Sequence, residues 1–197
     1  MSDRRDRIIT ATNELFRVHG YHGTSLSAIS AASGATTGSI YHFFPGGKEE
    51  LAVAVIETTG VIYRELFESI AAEAVGVVSA YSDFFAGAAV LLEESDYLDP
   101  CPIGTVAREV ASTSPALRAA AERAFTSWVD AATAHLVGGG IDEREALDLA
   151  TLFVTTVEGC FVMCRTLRST EPAHTAGRFL VPLVDAALPS AERRRLA

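Results

Sequence analysis

Residues 24–51 read TSLSAISAASGATTGSIYHFFPGGKEEL, and the polar groups in this stretch can touch a phosphate backbone and base edges. Thr36, Thr37, Gly38 and Ser39 put three hydroxyls and one glycine at the start of a short helix. Free N–H groups and the positive dipole end favour phosphate there, and small side chains let the backbone approach a groove. Ile40, Phe43 and Phe44 form the apolar side of that helix, so Tyr41 and His42 project outward. Lys48 is the only lysine in the chain. It opens the next helix, from which it can reach a phosphate as a point charge. Just upstream, Thr24 or Ser25 can cap a second short helix. The chemistry these residues support is binding of double-stranded DNA.

Other reactive side chains are sparse. Cys160 and Cys164 lie four apart and share a helix face. They read either as small buried apolar residues or as a redox or metal pair, and the latter lacks further ligands. Cys101 stands between two prolines, where an exposed, reactive thiol is one alternative. Glu158 sits among Val154, Val157, Phe161 and Val162 and needs a partner, either an arginine such as Arg165 or a donor on a ligand. No Gly-rich phosphate loop, paired-carboxylate motif or nucleophile elbow is present, so neither an enzyme nor a bound metal or cofactor is expected.

The elements that must position these residues read as helices almost throughout, because no stretch alternates apolar and polar residues over strand length. Helices are expected over about 3–18, from 26 to Gly34 with Leu26, Ile29 and Ala32 inward, after Thr36, and over 48–74, 78–94, 103–112, 115–137, 142–167 and 175–188. Asp142 with Glu145 resembles a capping box. Gly34 suits the tight turn between the second and third helices, which makes a helix-turn-helix whose second member can enter a major groove. Gly60 within the fourth helix costs about 1 kcal/mol against Ala. Pro182 interrupts the last helix, or sits in its first turn if that helix begins later. The charged tail 192–195 is expected to fray.

The body supplies the large aromatics. Phe67, Phe84, Phe85, Tyr97, Phe125, Trp128, Phe153 and Phe161 read as core, or together, with Cys101, Ile103 and Glu158, as the lining of an apolar ligand cavity. Few arginines accompany them, which favours a neutral or cationic aromatic ligand over a multiply charged anion. The segments about 145–167 and 175–188 are apolar on more than one side, and a homodimer packed through these two helices is expected.

The string Thr24-Ser25-Leu26, Ile29, Gly34, Gly38 to Phe44 and Lys48 to Leu51, spaced as it is from Phe16 and Gly20, resembles the DNA-binding domain of TetR-type transcriptional repressors. The resemblance covers about residues 5–55. Pro45-Gly46-Gly47-Lys48 and Cys101-Pro102-Ile103-Gly104 also resemble the LmrA/YxaF-like branch. The resemblance implies an all-α homodimer of about nine helices, a helix-turn-helix domain over 1–48 and a ligand-binding and dimerisation domain over 49–190. It implies a palindromic operator and repression released by a small-molecule effector. It also implies DNA contacts from Thr24, Ser25, Thr36, Thr37, Gly38, Ser39, Tyr41, His42 and Lys48. Thr37 departs from the Lys or Arg common at its position.

The chain has 197 residues and a net charge of −9, which by itself argues against nucleic acid. The charge is unevenly spread, however. Residues 1–48 carry net +2 and the remainder −11. Attraction follows the local field, so a dimer presenting two basic heads can hold DNA while its acidic bodies discourage nonspecific contact. That distribution excludes an architectural DNA coat, which needs basic charge over the whole surface. Three cysteines do not make a disulfide framework, no run reaches membrane-span length, and MSDRRDRIITA lacks the apolar stretch of a secretory signal, so a cytoplasmic location is expected.

Overall fold

The computed structural model describes residues 2–98 and 101–189. Asp99, Pro100 and the tail at 192–195 lie outside the described residues. Among the described residues there are nine α-helices and no strand: α1 Ser2–His19, α2 Leu26–Ser33, α3 Thr37–Phe43, α4 Lys48–Glu73, α5 Val77–Glu94, α6 Pro102–Val110, α7 Pro115–Gly138, α8 Glu143–Leu167 and α9 Glu171–Ala187.

The chain divides into two compact units, Met1–Val61 with Pro100–Ala124, and Ile62–Asp99 with Phe125–Ala197. The division does not fall at Lys48. Leu51, Ala52, Val55 and Ile56 on the first half of α4 are fully buried within the first unit, so the start of this helix is part of the head's core. Segment 101–124 belongs to the same unit. There Ala124 lies 2.9 Å from where a Gly60 Cβ would stand, with Ile103 next to it. The mid-helix glycine is therefore explained by a close helix–helix approach. Arg123 pairs with Glu57 at 2.6 Å, Ser114 donates to Glu49 at 2.5 Å, and Thr59 donates to Asn13 at 3.0 Å. Of the residues that helical spacing places on the inner face of α1, Ile8, Thr12 and Phe16 are buried, Leu15 is half-buried and His19 is exposed; Ala32 of α2 is likewise exposed rather than inward. Only Ile29 of the three expected inner residues of α2 is fully buried, because the helix is two turns long and rests on one anchor.

In the second unit α8 supplies the main seam. Ala146, Ala150, Phe153, Val157, Cys160 and Cys164 are buried and alternate four and three residues apart, the spacing of a coiled-coil face. This helix packs on α9, and α9 on α5, where Gly177 lies beside Phe85. Phe153 anchors an aromatic cluster with Tyr81 (4.9 Å, edge-on), Phe84 (5.0 Å) and Phe67 (5.5 Å). The last helix begins four residues earlier than the sequence predicts. Pro172 occupies its first turn, and Pro182 lies in its interior. Asp142 caps α8 by accepting from the Arg144 N–H, at 3.0 Å, not from Glu145.

One described helix, α8, is long and apolar enough by composition to cross a membrane, with 28% of its apolar window buried. Its uncharged stretch is shorter than that suggests. Asp148 and Arg165 bracket residues 149–164, with Glu158 between them, while a span needs about 20 apolar residues.

Candidate nucleic-acid interface and ligand cavity

The first unit builds the helix-turn-helix from local chemistry. Ser25 caps α2, its hydroxyl accepting from the Ala28 N–H at 3.1 Å. Gly34 ends that helix in the left-handed conformation, φ +66°, which costs a glycine nothing. Thr36 caps α3 by accepting from the Ser39 N–H at 3.1 Å. Ile40 is fully buried, and Thr36, Thr37, Gly38, Tyr41 and His42 are exposed, with Ser39 half-buried. The start of α3 expected to meet DNA thus carries only small side chains, with Tyr41 and His42 exposed further along, and the buried Ile40 holds the helix in place. Tyr41 is 49% exposed. Its ring edge lies 3.3 Å from where a Cβ on Gly47 would be, so the Pro45-Gly46-Gly47 turn also sets the tyrosine's position. The sequence reading did not assign that role to Gly47, although its placement directly after the apolar side of α3 was visible.

Two residues expected on the DNA face are placed otherwise. Thr24 is 1% exposed, and its hydroxyl donates to the Gly20 carbonyl at 2.8 Å, because the turn from α1 to α2 needs an internal acceptor-donor pair. That side chain is corrected to a structural role. Lys48 is half-buried: its Nζ donates to the Thr24 carbonyl at 2.7 Å and lies 4.2 Å from the Tyr21 ring centroid. Burial lowers the Lys48 pKa, and the Glu109 carboxylate opposes that shift. Burial and then the charge of Glu49 raise the Tyr21 pKa. Arg5, one of the cations of the basic N-terminal segment, lies over the Phe44 ring at 5.3 Å.

The second unit contains an apolar cavity of about 460 Å³, a size that suits a drug-sized molecule. Of the expected lining, Phe67, Phe84, Trp128, Phe153, Glu158 and Phe161 face it. Phe85, Tyr97, Cys101, Ile103 and Phe125 do not. Phe85 is core beside Gly177, Tyr97 lies under Arg168 at 5.3 Å, and Phe125 packs edge-on against Trp128 at 5.2 Å. Cys101 and Ile103 belong to the first unit, where Cys101 caps α6 and its sulfur accepts from the Gly104 N–H at 3.4 Å. The remaining walls come from stripes on three helices: Tyr63, Arg64, Leu66 and Ile70 on α4; Gly87, Ala88, Val90, Leu91 and Leu92 on α5; Val154 and Val157 on α8, joined by Ala131 of α7. Their helical spacing was the available signal. Arg64 brings a cation, paired with Glu68 at 3.4 Å.

Cys160 is buried, and its pKa is pushed up to about 11, first by burial and then by Cys164. Burial also raises the Cys164 pKa. Thiols in this state are poor nucleophiles and poor ligands near neutral pH. No cluster of three potential metal ligands occurs among the described residues.

Comparison with known proteins adds to this geometry. Residues 8–55 match the family model described as bacterial regulatory proteins, tetR family, and residues 77–179 match the C-terminal domain of LmrA/YxaF-like transcriptional regulators. The uncharacterised HTH-type transcriptional regulator YxaF of Bacillus subtilis is 35% identical over 86% of this chain and 89% of its own length. The HTH-type transcriptional regulator LmrA of the same organism is 30% identical over 86% and 90%. Among solved structures, a TetR transcriptional regulator from Chloroflexus aurantiacus superposes with a TM-score of 0.78 at 28% identity, covering 95% of this chain and 96% of that one.

Proposed function

Because this chain belongs to the TetR family of bacterial transcriptional regulators, with a C-terminal domain of the LmrA/YxaF-like kind, we propose that it is a cytoplasmic repressor that binds a palindromic operator as a homodimer and leaves it when a small, largely apolar or aromatic effector binds. It is a DNA-binding regulator and not an enzyme. The observation that carries the reading is the exposed run of Thr36, Thr37 and Gly38 at the start of α3, on a helix that the fully buried Ile40 anchors one turn further on. Such a helix can enter a groove backbone-first, with its free N–H groups toward phosphate and Tyr41 and His42 further along the groove. Thr36, Thr37, Gly38, Ser39, Tyr41 and His42 make the contacts, Ser25 adds one from the start of α2, and Lys48 offers a phosphate the donors that Thr24 does not take.

Dimerisation through α8 and α9 is supported by what they leave uncovered. Leu152, Met163 and Leu167 on one side of α8 and Phe179 and Leu183 on α9 are each more than 40% exposed. An apolar face of this extent needs a cover, and the same pair of helices from a second copy fits it as a four-helix bundle. Two recognition helices then sit at half-sites about one turn of DNA apart. A protein occupying an operator excludes polymerase, and hence represses.

The 460 Å³ cavity, with apolar walls that carry one guanidinium, Arg64, and one carboxylate, Glu158, supports a small effector that is largely apolar or aromatic. Helix α4 starts beside the recognition helix at Lys48 and carries Tyr63 and Phe67 on the cavity wall, so occupancy can alter the head. Release of DNA needs a difference in effector affinity between the two states of about 1–3 kcal/mol.

The test is selection of duplexes from a random library by the wild-type dimer, followed by titration. An enriched palindrome whose affinity falls steeply with salt, and which dissociates when an aromatic compound quenches Trp128, is the expected result. A compound that fills the cavity and leaves affinity for the enriched duplex unchanged overturns the effector mechanism. Failure to enrich any sequence overturns operator binding.

A further inference from the structure

We propose that Glu109, near the end of α6, is a positioning residue for operator recognition: its carboxylate grips the turn between α1 and α2 and so sets the register of the helix-turn-helix. The inference rests on the operator-binding reading above.

The grip is bidentate. Glu109 Oε1 accepts from the Tyr21 N–H at 3.2 Å and Oε2 from the His22 N–H at 2.8 Å, across 88 and 87 residues of sequence. All the groups involved lie in one compact unit. The turn is built around this carboxylate. Gly20 is left-handed, φ +69°, which favours glycine, and a Cβ there would stand 1.8 Å from Oε1, so the carboxylate occupies the space that a side chain at residue 20 would take. The other end of the turn is held by Lys48, whose ammonium takes the Thr24 carbonyl and covers the Tyr21 ring. Thr24 closes the turn on Gly20. Ser25, the cap of α2, follows at once. Displacing residues 21 and 22 therefore moves the start of α2, and with it the turn into α3.

A carboxylate is the group this geometry needs, since both of its oxygens accept while an amide offers one acceptor and one donor. Its charge is otherwise unhelpful. A negative group in a DNA-binding head repels phosphate, so removing it should tighten DNA binding if charge alone mattered. Positioning predicts the opposite sign for the specific site.

The experiment compares wild type with Glu109→Gln and, as a variant that keeps the charge, Gly20→Ala, which forces the carboxylate off the turn. Each is titrated with a duplex enriched by wild type and with a scrambled duplex of equal length, while hydrogen exchange is followed at the Tyr21 and His22 amides. Expected for both variants is a loss of about tenfold on the enriched duplex, faster exchange at the two amides, and, for Glu109→Gln, scrambled-duplex affinity equal to or above wild type. Affinity for the enriched duplex unchanged or improved in either folded variant, or an equal loss on both duplexes, overturns the proposal. If Glu109→Gln fails to fold, Glu109→Asp, which keeps the charge but shortens the reach to the Tyr21 and His22 amides, decides by the same outcomes. If wild type enriches no sequence, the operator-binding reading itself fails, and this inference goes with it.

Discussion

Lys48 donates to the carbonyl of Thr24 at 2.7 Å, and the bond joins the first residue of α4 to the turn that precedes α2. The cation that a sequence places at a phosphate is thereby also a strut of the head. Lys48→Met should keep the aliphatic stem on Tyr21 but lose the charged donor. Its urea midpoint should drop by the equivalent of about 1 kcal/mol. The slope of log affinity against log salt should change by less than one full phosphate contact. A full unit of slope lost at unchanged stability would make Lys48 purely a phosphate ligand.

Gly87 lies on the cavity wall, and a Cβ there would have no neighbour within 4 Å. Gly87→Leu should fold at least as well as wild type, since a mid-helix glycine costs about 1 kcal/mol. Its side chain should occupy space an effector needs. The expected phenotype is a regulator with wild-type affinity for the enriched duplex that no longer responds to compounds that quench Trp128 in wild type. Operator release and quenching measured on one sample check it.

His135 stands edge-on to Phe67 at 5.9 Å, with its Nε2 buried and without a hydrogen-bond partner. Burial lowers its pKa, and a hydrogen bond with the Val77 backbone opposes that shift. The unfolded side chain titrates near about 6.5. Above that value both states are neutral and the stability is fully present. As pH falls, the unfolded chain takes up the proton first, so stability declines until the lowered folded pKa is passed. The urea midpoint should fall between about pH 7.5 and 5.5, and His135→Phe should flatten that part of the curve. An identical pH dependence in the variant would show that His135 is not its source.

Phe179 is 72% exposed on α9, the most exposed aromatic of the proposed dimer face. Phe179→Asp should leave the helical content intact and convert the dimer to monomer in sedimentation velocity. Operator affinity should collapse with it, because half-sites bound singly lose the linked second contact. A dimer that survives this change is formed elsewhere.

Cys101, Cys160 and Cys164 are 3%, 8% and 0% exposed. With Cys160 pushed up to about 11, thiol titration of the native protein should run at least about a hundredfold slower than in denaturant. Fast modification of one thiol in the native state would restore a redox role for it.

The recognition helix was legible because its signals are local. Thr36 caps α3, Gly34 turns the chain, and Ile40 points inward, each within a few residues of the others. The exposed faces of α8 and α9 were legible for a similar reason, since composition on all sides of a helix shows without knowing its neighbours. The cavity was half legible. Phe67, Phe84, Trp128, Phe153, Glu158 and Phe161 were chosen for their type. Tyr63, Leu66, Gly87 and Leu91 were missed, because only the packing of α4, α5 and α8 decides which stripes face one another.

By itself, the sequence determined an all-helical regulator with a mildly basic head, a helix-turn-helix whose second helix starts with small polar residues, and an acidic body, since caps, periodicity and charge act over a few residues. The tertiary structure decided the rest. It turned Thr24 inward, tied Lys48 to that turn, and brought Glu109 from a distant helix onto Tyr21 and His22. It also placed Cys101 and Ile103 in the unit that does not build the cavity. Each of these depends on which distant segments share a core, and burial of one group against another is a property of the packed fold, not of the residues alone.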